Sequence, residues 1–314
     1  MKVLIIKWAN VDFFYEKLIN DMVGHVDTAH IRHNPDRLKG NSNLIKDTLY
    51  LVKEFASVIK KVKKYDKVVI FGSNIARVLP YFIKNKKISL IVFNEIDGKK
   101  SWLNILDKML FFFYWKSVAF SSYERAEIYS KRYNKNFEKV LLNLPLIDYF
   151  QEVDITIKKK EVVYCGVINK QRFSDDTIAD IVESGYIFNF VGKSVNVDFP
   201  ENSNIYYLGE FSHEKVNGFQ KSFFYALLSY PVTDLNNDYC APIKIYEYIN
   251  NGCVCVSVYR NKGLEFYFKE YPQLFVHIND LSSYEYDEER YQVQRNLFLS
   301  RSICALEKLV GDIL

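Results

Sequence analysis

DYCAPIKIYEYINNGCVCVSV, residues Asp238 to Val258, reads as a loop, a helix, a sharp stop and a buried strand. Pro242 suits the first helical position, where its missing N–H would be unpaired in any case. Ile243, Tyr246, Ile249 and Asn250 recur at helical spacing. Gly252 follows as the residue that ends the helix in a left-handed turn. Cys253 to Val258 is a short unbroken apolar run rich in valine, as expected of a central parallel strand covered on both faces.

The start of this helix is unusual. Ala241 precedes Pro242 and has no side chain able to cap. The first-turn N–H groups therefore lack an internal acceptor, and Lys244 stands among them. Such a start can receive a phosphate. Glu247 lies one turn further on, where its carboxylate can accept from the two hydroxyls of a ribose. A surface Lys–Glu pair on an ordinary amphipathic helix fits the same residues.

Strands alternate with helical stretches on both sides of this segment. Val3–Lys7, Val26–Ile31, Val68–Phe71, Ile88–Phe93, Val118–Ser121 and Val140–Leu142 read as strands of a first half. Helices are expected at Asn43–Lys64, from Ile75, at Ser101–Trp115 and at Tyr123–Tyr133. Val162–Cys165, Ile187–Val191, Ile205–Leu208, Phe224–Leu228 and Cys253–Val258 read as strands of a second half, and Glu285–Leu314 as helical. This alternation implies parallel α/β sheets. The chain has 314 residues, which suits two domains. The polar, non-periodic run Ile147–Lys160 is the expected seam, giving domains 1–150 and 151–294.

Charge separates the halves. Residues 1–150 hold 26 Lys/Arg against 15 Asp/Glu, a net +11. The remainder holds 16 against 23, a net −7. One basic and one acidic half suggest different neighbours. The five cysteines have no metal-ligand spacing, and reduced thiols in the cytoplasm are expected. Met1–Ile6 is too short for a signal peptide, and no apolar run approaches the roughly 18 residues of a membrane span. Met109–Trp115 is strongly apolar and is expected to be a core helix.

Pro242 to Ser257 resembles the donor-site motif of GT-B glycosyltransferases, above all family 4, where the pattern P-x-K-x-x-E-Y/A-x-x-x-G recurs. The resemblance implies two Rossmann-like domains facing a cleft, with a last helix (about 295–314) packing back on the first. It further implies that Pro242, Ile243 and Lys244 hold the diphosphate of a UDP- or GDP-sugar and that Glu247 holds its ribose. Tyr164-Cys-Gly-Val-Ile-Asn-Lys-Gln-Arg172 resembles the segment that opens the donor domain. Arg172, and after it Lys170, would stabilise the charge that develops on the leaving phosphate. Ile205–Phe211 resembles a strand-then-glycine segment beside the base, making Gly209 and Phe211 contact candidates, although Phe211 also fits a core anchor.

The family's first glutamate is missing. Tyr239 occupies its position, with Asp238 one residue away. In the first half, Glu95 and Asp97 follow a strand's carboxyl end and are candidates for an acceptor-side base. Gly192-Lys193-Ser194 is not a phosphate-binding loop, because Ile187 stands where the first glycine belongs. The expected function is metal-independent transfer of a sugar to a glycan or lipid-linked glycan in cell-surface polysaccharide synthesis, and the family 4 resemblance implies a retaining outcome. A nucleotide-sugar epimerase or hydrolase and a non-catalytic GT-B partner are the alternatives. An anionic membrane surface is an expected partner of the basic half, and nucleic acid is not.

Overall fold

The computed structural model describes the whole chain except residues 8–13, 33–43, 85–86, 94–95, 97–100, 201–203 and 314. The chain divides into two compact units, Met1–Leu146 with Cys304–Leu314, and Ile147–Ile303.

The first unit is built on β1 (Val3–Lys7), β2 (Val26–His30), β3 (Lys67–Phe71), β4 (Ile88–Phe93), β5 (Val118–Phe120) and β6 (Lys139–Val140). They form one parallel sheet in the order β2-β1-β3-β4-β5-β6. All of β1 is buried, Val3–Ile6 as their apolar sequence requires and Lys7 with its ammonium donating to Glu16 Oε1 at 2.6 Å. Phe93, Phe111, Phe120, Tyr129 and Phe137 pack edge-to-face and stacked within about one ring diameter, with Phe93–Tyr129 centroids 5.2 Å apart and Phe120–Phe137 centroids 5.1 Å apart. Arg77 and Asp107 form a buried two-point pair, with Nε–Oδ1 at 2.7 Å and Nη2–Oδ2 at 3.2 Å. Burial raises the Asp107 pKa, while the Arg77 hydrogen bonds and charge oppose that rise. The helix expected from Ile75 is one short turn, Ser73–Ala76, followed by a 3-10 turn at Leu79–Phe82. Pro80 accounts for the break, since it supplies no N–H for an α-helical ladder.

The second unit contains β7 (Lys159–Cys165), β8 (Ile168–Asn169), β9 (Phe188–Val191), β10 (Ser194–Val195), β11 (Ile205–Gly209), β12 (Phe223–Leu228), β13 (Val254–Ser257) and β14 (Phe275–His277). Six of these form a parallel sheet in the order β11-β9-β7-β12-β13-β14, and β8 and β10 pair separately. Counted along this unit's main sheet, that is the doubly wound order 3-2-1-4-5-6. The order reverses between β7 and β12.

The helix Lys244–Asn250 enters β13 as its sequence requires. Gly252 has φ +76°, its N–H donates to Ile249 O at 3.0 Å, and the Cys253 N–H donates to Tyr248 O at 2.8 Å. This double bond is the Schellman stop. Two buried cations complete the helix end. Arg295 donates to Ile249 O and Asn250 O at 2.9 and 2.7 Å, and Lys158 donates to Asn251 O at 2.8 Å. Carbonyls that a helix end leaves unpaired are thereby satisfied without water. Burial lowers the pKa of both cations.

No described helix is long and apolar enough to cross a membrane. The expectation for Met109–Trp115 holds for three of its seven residues. Leu110, Phe111 and Tyr114 are buried, but Met109, Phe112 and Phe113 are exposed. One face of the helix meets the sheet, and an uninterrupted apolar sequence leaves the other face apolar as well.

Candidate functional site

Ligands of open α/β sheets bind beyond the carboxyl ends of the strands, at the point where strand order reverses. In the second unit that point lies between β7 and β12. Three neighbouring strands end there in glycines of positive φ: Gly166 (+150°), Gly192 (+132°) and Gly209 (+90°). The Gly192 N–H donates to Gly209 O at 2.8 Å. A Cβ on Gly192 would lie 2.0 Å from Gly166 O, so the loops after β7 and β9 pack backbone against backbone.

The loop after β7 carries Arg172. Its backbone N–H is held by Asn169 Oδ1 at 3.0 Å, and its carbonyl accepts from Ser229 Oγ, just after β12, at 2.6 Å. The guanidinium donates to the Tyr164 hydroxyl at 3.3 Å and lies 5.1 Å from the centre of the Tyr230 ring. The switch point is thus closed by a loop bonded to the strand on its far side, and that loop presents an arginine.

Lys244 reaches the same place from the other direction. The regular helix begins at Lys244, two residues later than Pro242 suggests, after a tight turn in which the Ile245 N–H donates to Pro242 O at 3.4 Å. Ile243 caps it in a helical conformation with no side-chain cap. The Lys244 ammonium donates to Cys165 O and sits 4.4 Å from the centre of the Tyr164 ring. It fills the space that a Cβ on Gly166 would need. The surface Lys–Glu pair is therefore excluded for this lysine. Its pKa is pushed down to about 8, by burial first and then by the Arg172 charge. Two cations flank one tyrosine, one at its hydroxyl and one over its ring, each disfavouring the other. That arrangement favours an anion placed between them.

Glu247 lies near Lys244 and Tyr149. Its carboxylate partly supports the Lys244 charge, and after burial it is the second cause of the raised Tyr149 pKa. Pro242 is buried beneath the helix start, and Ile243 is half-buried.

The remaining candidates, Gly209 excepted, stand apart. Lys170 is exposed and paired with Asp175 at 2.9 Å, so solvent and a carboxylate already share its charge. Asp238 is buried, receives the Lys262 N–H at 3.2 Å, and pairs with the Lys262 ammonium at 3.0 Å. It ties its loop to the start of the helix Lys262–Glu270. Gly209 ends β11, and a Cβ there would meet nothing within 4 Å. Phe211 is 39% exposed and stacks on Phe219 at 5.9 Å, which makes it a partly open ring rather than a core anchor. Glu95 and Asp97 lie outside the described residues.

Ser229 and Tyr230 escape the sequence reading, which takes Tyr164 only as the tyrosine that opens the Tyr164–Arg172 motif and considers Gly192 only as part of a rejected phosphate loop. Ser229-Tyr230 follows an apolar strand directly, and that position at a sheet edge was the available signal.

No protein-family model matches the sequence, and neither does any curated protein sequence. Solved structures do match. T4 phage BGT in complex with UDP and Mn2+ has 16% identity and a TM-score of 0.53, over 100% of this chain and 99% of that one. HepE from Anabaena, in complex with UDP, has 10% identity and a TM-score of 0.55, over 100% and 93%. AviGT4, a glycosyltransferase involved in avilamycin A biosynthesis, has 12% identity and a TM-score of 0.57, over 99% and 98%. The chain has the GT-B fold.

The similarity also corrects the sequence reading. Metal independence does not stand as an expectation for this fold, because the T4 phage protein is in complex with both UDP and Mn2+. Among the described residues no group of three or more His, Cys, Asp or Glu is placed to hold a metal ion. Those residues do not themselves fit a metal centre, and no step below runs through one.

Proposed function

We propose that this protein is a GT-B glycosyltransferase that moves a sugar from a UDP- or GDP-sugar to a hydroxyl of a glycan or lipid-linked glycan in cell-surface polysaccharide synthesis. The observation that carries the reading is the convergence of Arg172 and Lys244 on Tyr164 at the strand-order reversal. The fold neighbours' nucleotide and glycosyltransferase descriptions support it.

The diphosphate lies between the two cations, with Glu247 accepting from the ribose hydroxyls. The second unit is the donor domain and the first is the acceptor domain, with Glu95 or Asp97 as the candidate acceptor-side base. When the sugar–phosphate bond breaks, its electron pair passes to the phosphate oxygen. The charge there grows, and a preorganised guanidinium and ammonium stabilise it. Gly166 leaves room for Lys244 to approach, and Tyr164 and Tyr230 fix the side chains in place. The likeness to family 4 around Pro242–Ser257 supports a retaining outcome. The net charge of +11 over residues 1–150 supports docking at an anionic inner leaflet and, with it, a lipid-linked acceptor.

Release of UDP or GDP from a panel of nucleotide sugars, with and without a glycolipid extract, tests the proposal. Release that rises with the extract is expected. Release equal in both would favour a hydrolase, and no release with intact nucleotide binding would favour a non-catalytic partner.

A further inference from the structure

The helix Ser101–Tyr114 buries Leu103, Asp107, Leu110, Phe111 and Tyr114 and leaves its opposite side bare. On that side Ile105, Met109, Phe112 and Phe113 are 60, 44, 72 and 56% exposed. Their spacing of i, i+4, i+7 and i+8 makes one continuous stripe, about 12 Å long from the helical rise. Exposed Lys108 falls at i+3 of the same stripe. Exposed Lys116 follows at the helix end, its ammonium 5.5 Å from the Trp115 ring, and Lys135 lies 5.8 Å from that ring.

Lysines outnumber carboxylates around these rings, where exposed Glu138 shares a surface cavity with Trp115 and Lys116. The helix's one carboxylate, Asp107, is buried against Arg77 and contributes nothing to the surface. A second copy of the chain seated here would bring like-charged lysine rims together. An anionic bilayer would receive the apolar side chains at its acyl boundary and the lysines among its phosphates. Aromatic rings rimmed by lysine match that boundary.

We infer that this stripe is an interfacial membrane anchor. Ile105, Met109, Phe112 and Phe113 enter the headgroup–acyl boundary of an anionic leaflet, and Lys108 and Lys116 face lipid phosphate. The inference rests on the proposed function only for the purpose of docking, a lipid-linked acceptor; the binding itself needs no sugar transfer.

Sedimentation of the full chain with phosphatidylcholine vesicles, with and without phosphatidylglycerol, tests it. The wild type is expected to pellet with the anionic vesicles and to lose only part of that binding at high salt, since the apolar contribution is unscreened. Phe112→Ser with Phe113→Ser should lower the partition coefficient about tenfold or more while leaving the melting temperature unchanged, both rings being exposed. Lys108→Glu with Lys116→Glu should remove much of the salt-sensitive part. A wild type that stays in the supernatant at low salt, or a double-serine variant that pellets like wild type, overturns the anchor. So does a lipid-free dimer that the double-serine change converts to monomer, which would make the stripe a contact between copies. UDP titration of the same preparations separates the two readings. Nucleotide binding without vesicle binding overturns the anchor alone, and vesicle binding without nucleotide binding overturns the donor assignment alone.

Discussion

Raising the pH should weaken donor binding through Lys244 alone. Burial and the Arg172 charge push this lysine's pKa down to about 8 in the empty site. A diphosphate beside it restores the charged form. Binding above pH 8 must therefore take up a proton. Near pH 9.5 the empty site is almost wholly neutral, and reprotonation costs about 2 kcal/mol, so affinity should fall about 30-fold from its value near pH 7. Near pH 8.5 about three-quarters of a proton should be taken up per UDP bound, while the phosphates, with a last ionisation near pH 6, contribute little. Calorimetric titration in two buffers of different ionisation enthalpy measures both quantities. Lys244→Met should bind weakly at every pH and take up no proton. Stability should move in the opposite sense to affinity. The lysine's pKa is lower in the fold than its ordinary 10.5, so between about 8 and 10.5 the unfolded chain holds more protons. Stability accordingly rises with pH across that window, by at most about 3 kcal/mol. UDP affinity that stays constant from about pH 7 to 9.5, with no proton uptake, would refute the placement of the diphosphate beside Lys244.

Glu247→Ala should weaken UDP and GDP binding by about 1–3 kcal/mol, the range for hydrogen bonds to a charged group, and unchanged affinity by calorimetry would sink its ribose role. Arg172→Ala should lower kcat roughly 10²–10³-fold with a smaller change in donor affinity, and a raised KM at normal kcat would show that it binds only ground-state donor. Gly192→Ala should depress the melting temperature strongly, because the added methyl would stand 2.0 Å from Gly166 O, a backbone atom that cannot step aside. A variant melting like wild type would show that the two loops have room to separate.

The sequence by itself determined the parts that depend on local pattern. The apolar runs Val3–Ile6 and Cys253–Val256 read as strands buried on both faces, and Gly252 could end its helix because the left-handed turn needs no Cβ. The placing of Arg172 and Glu247 in one half followed from a motif in contiguous residues. Tertiary structure decided what contiguous residues cannot express. Lys244 and Asp238 looked alike as charged residues near a helix start, yet one turns inward over Tyr164 and the other is spent on Lys262. Tyr164 and Tyr230 joined the site because β7 and β12, far apart in sequence, are adjacent at the strand-order reversal. Met109–Trp115 read as wholly core because an apolar stretch carries no sign of which side will be covered. That choice belongs to the sheet, which covers one face of a helix and leaves the other to water or to a partner.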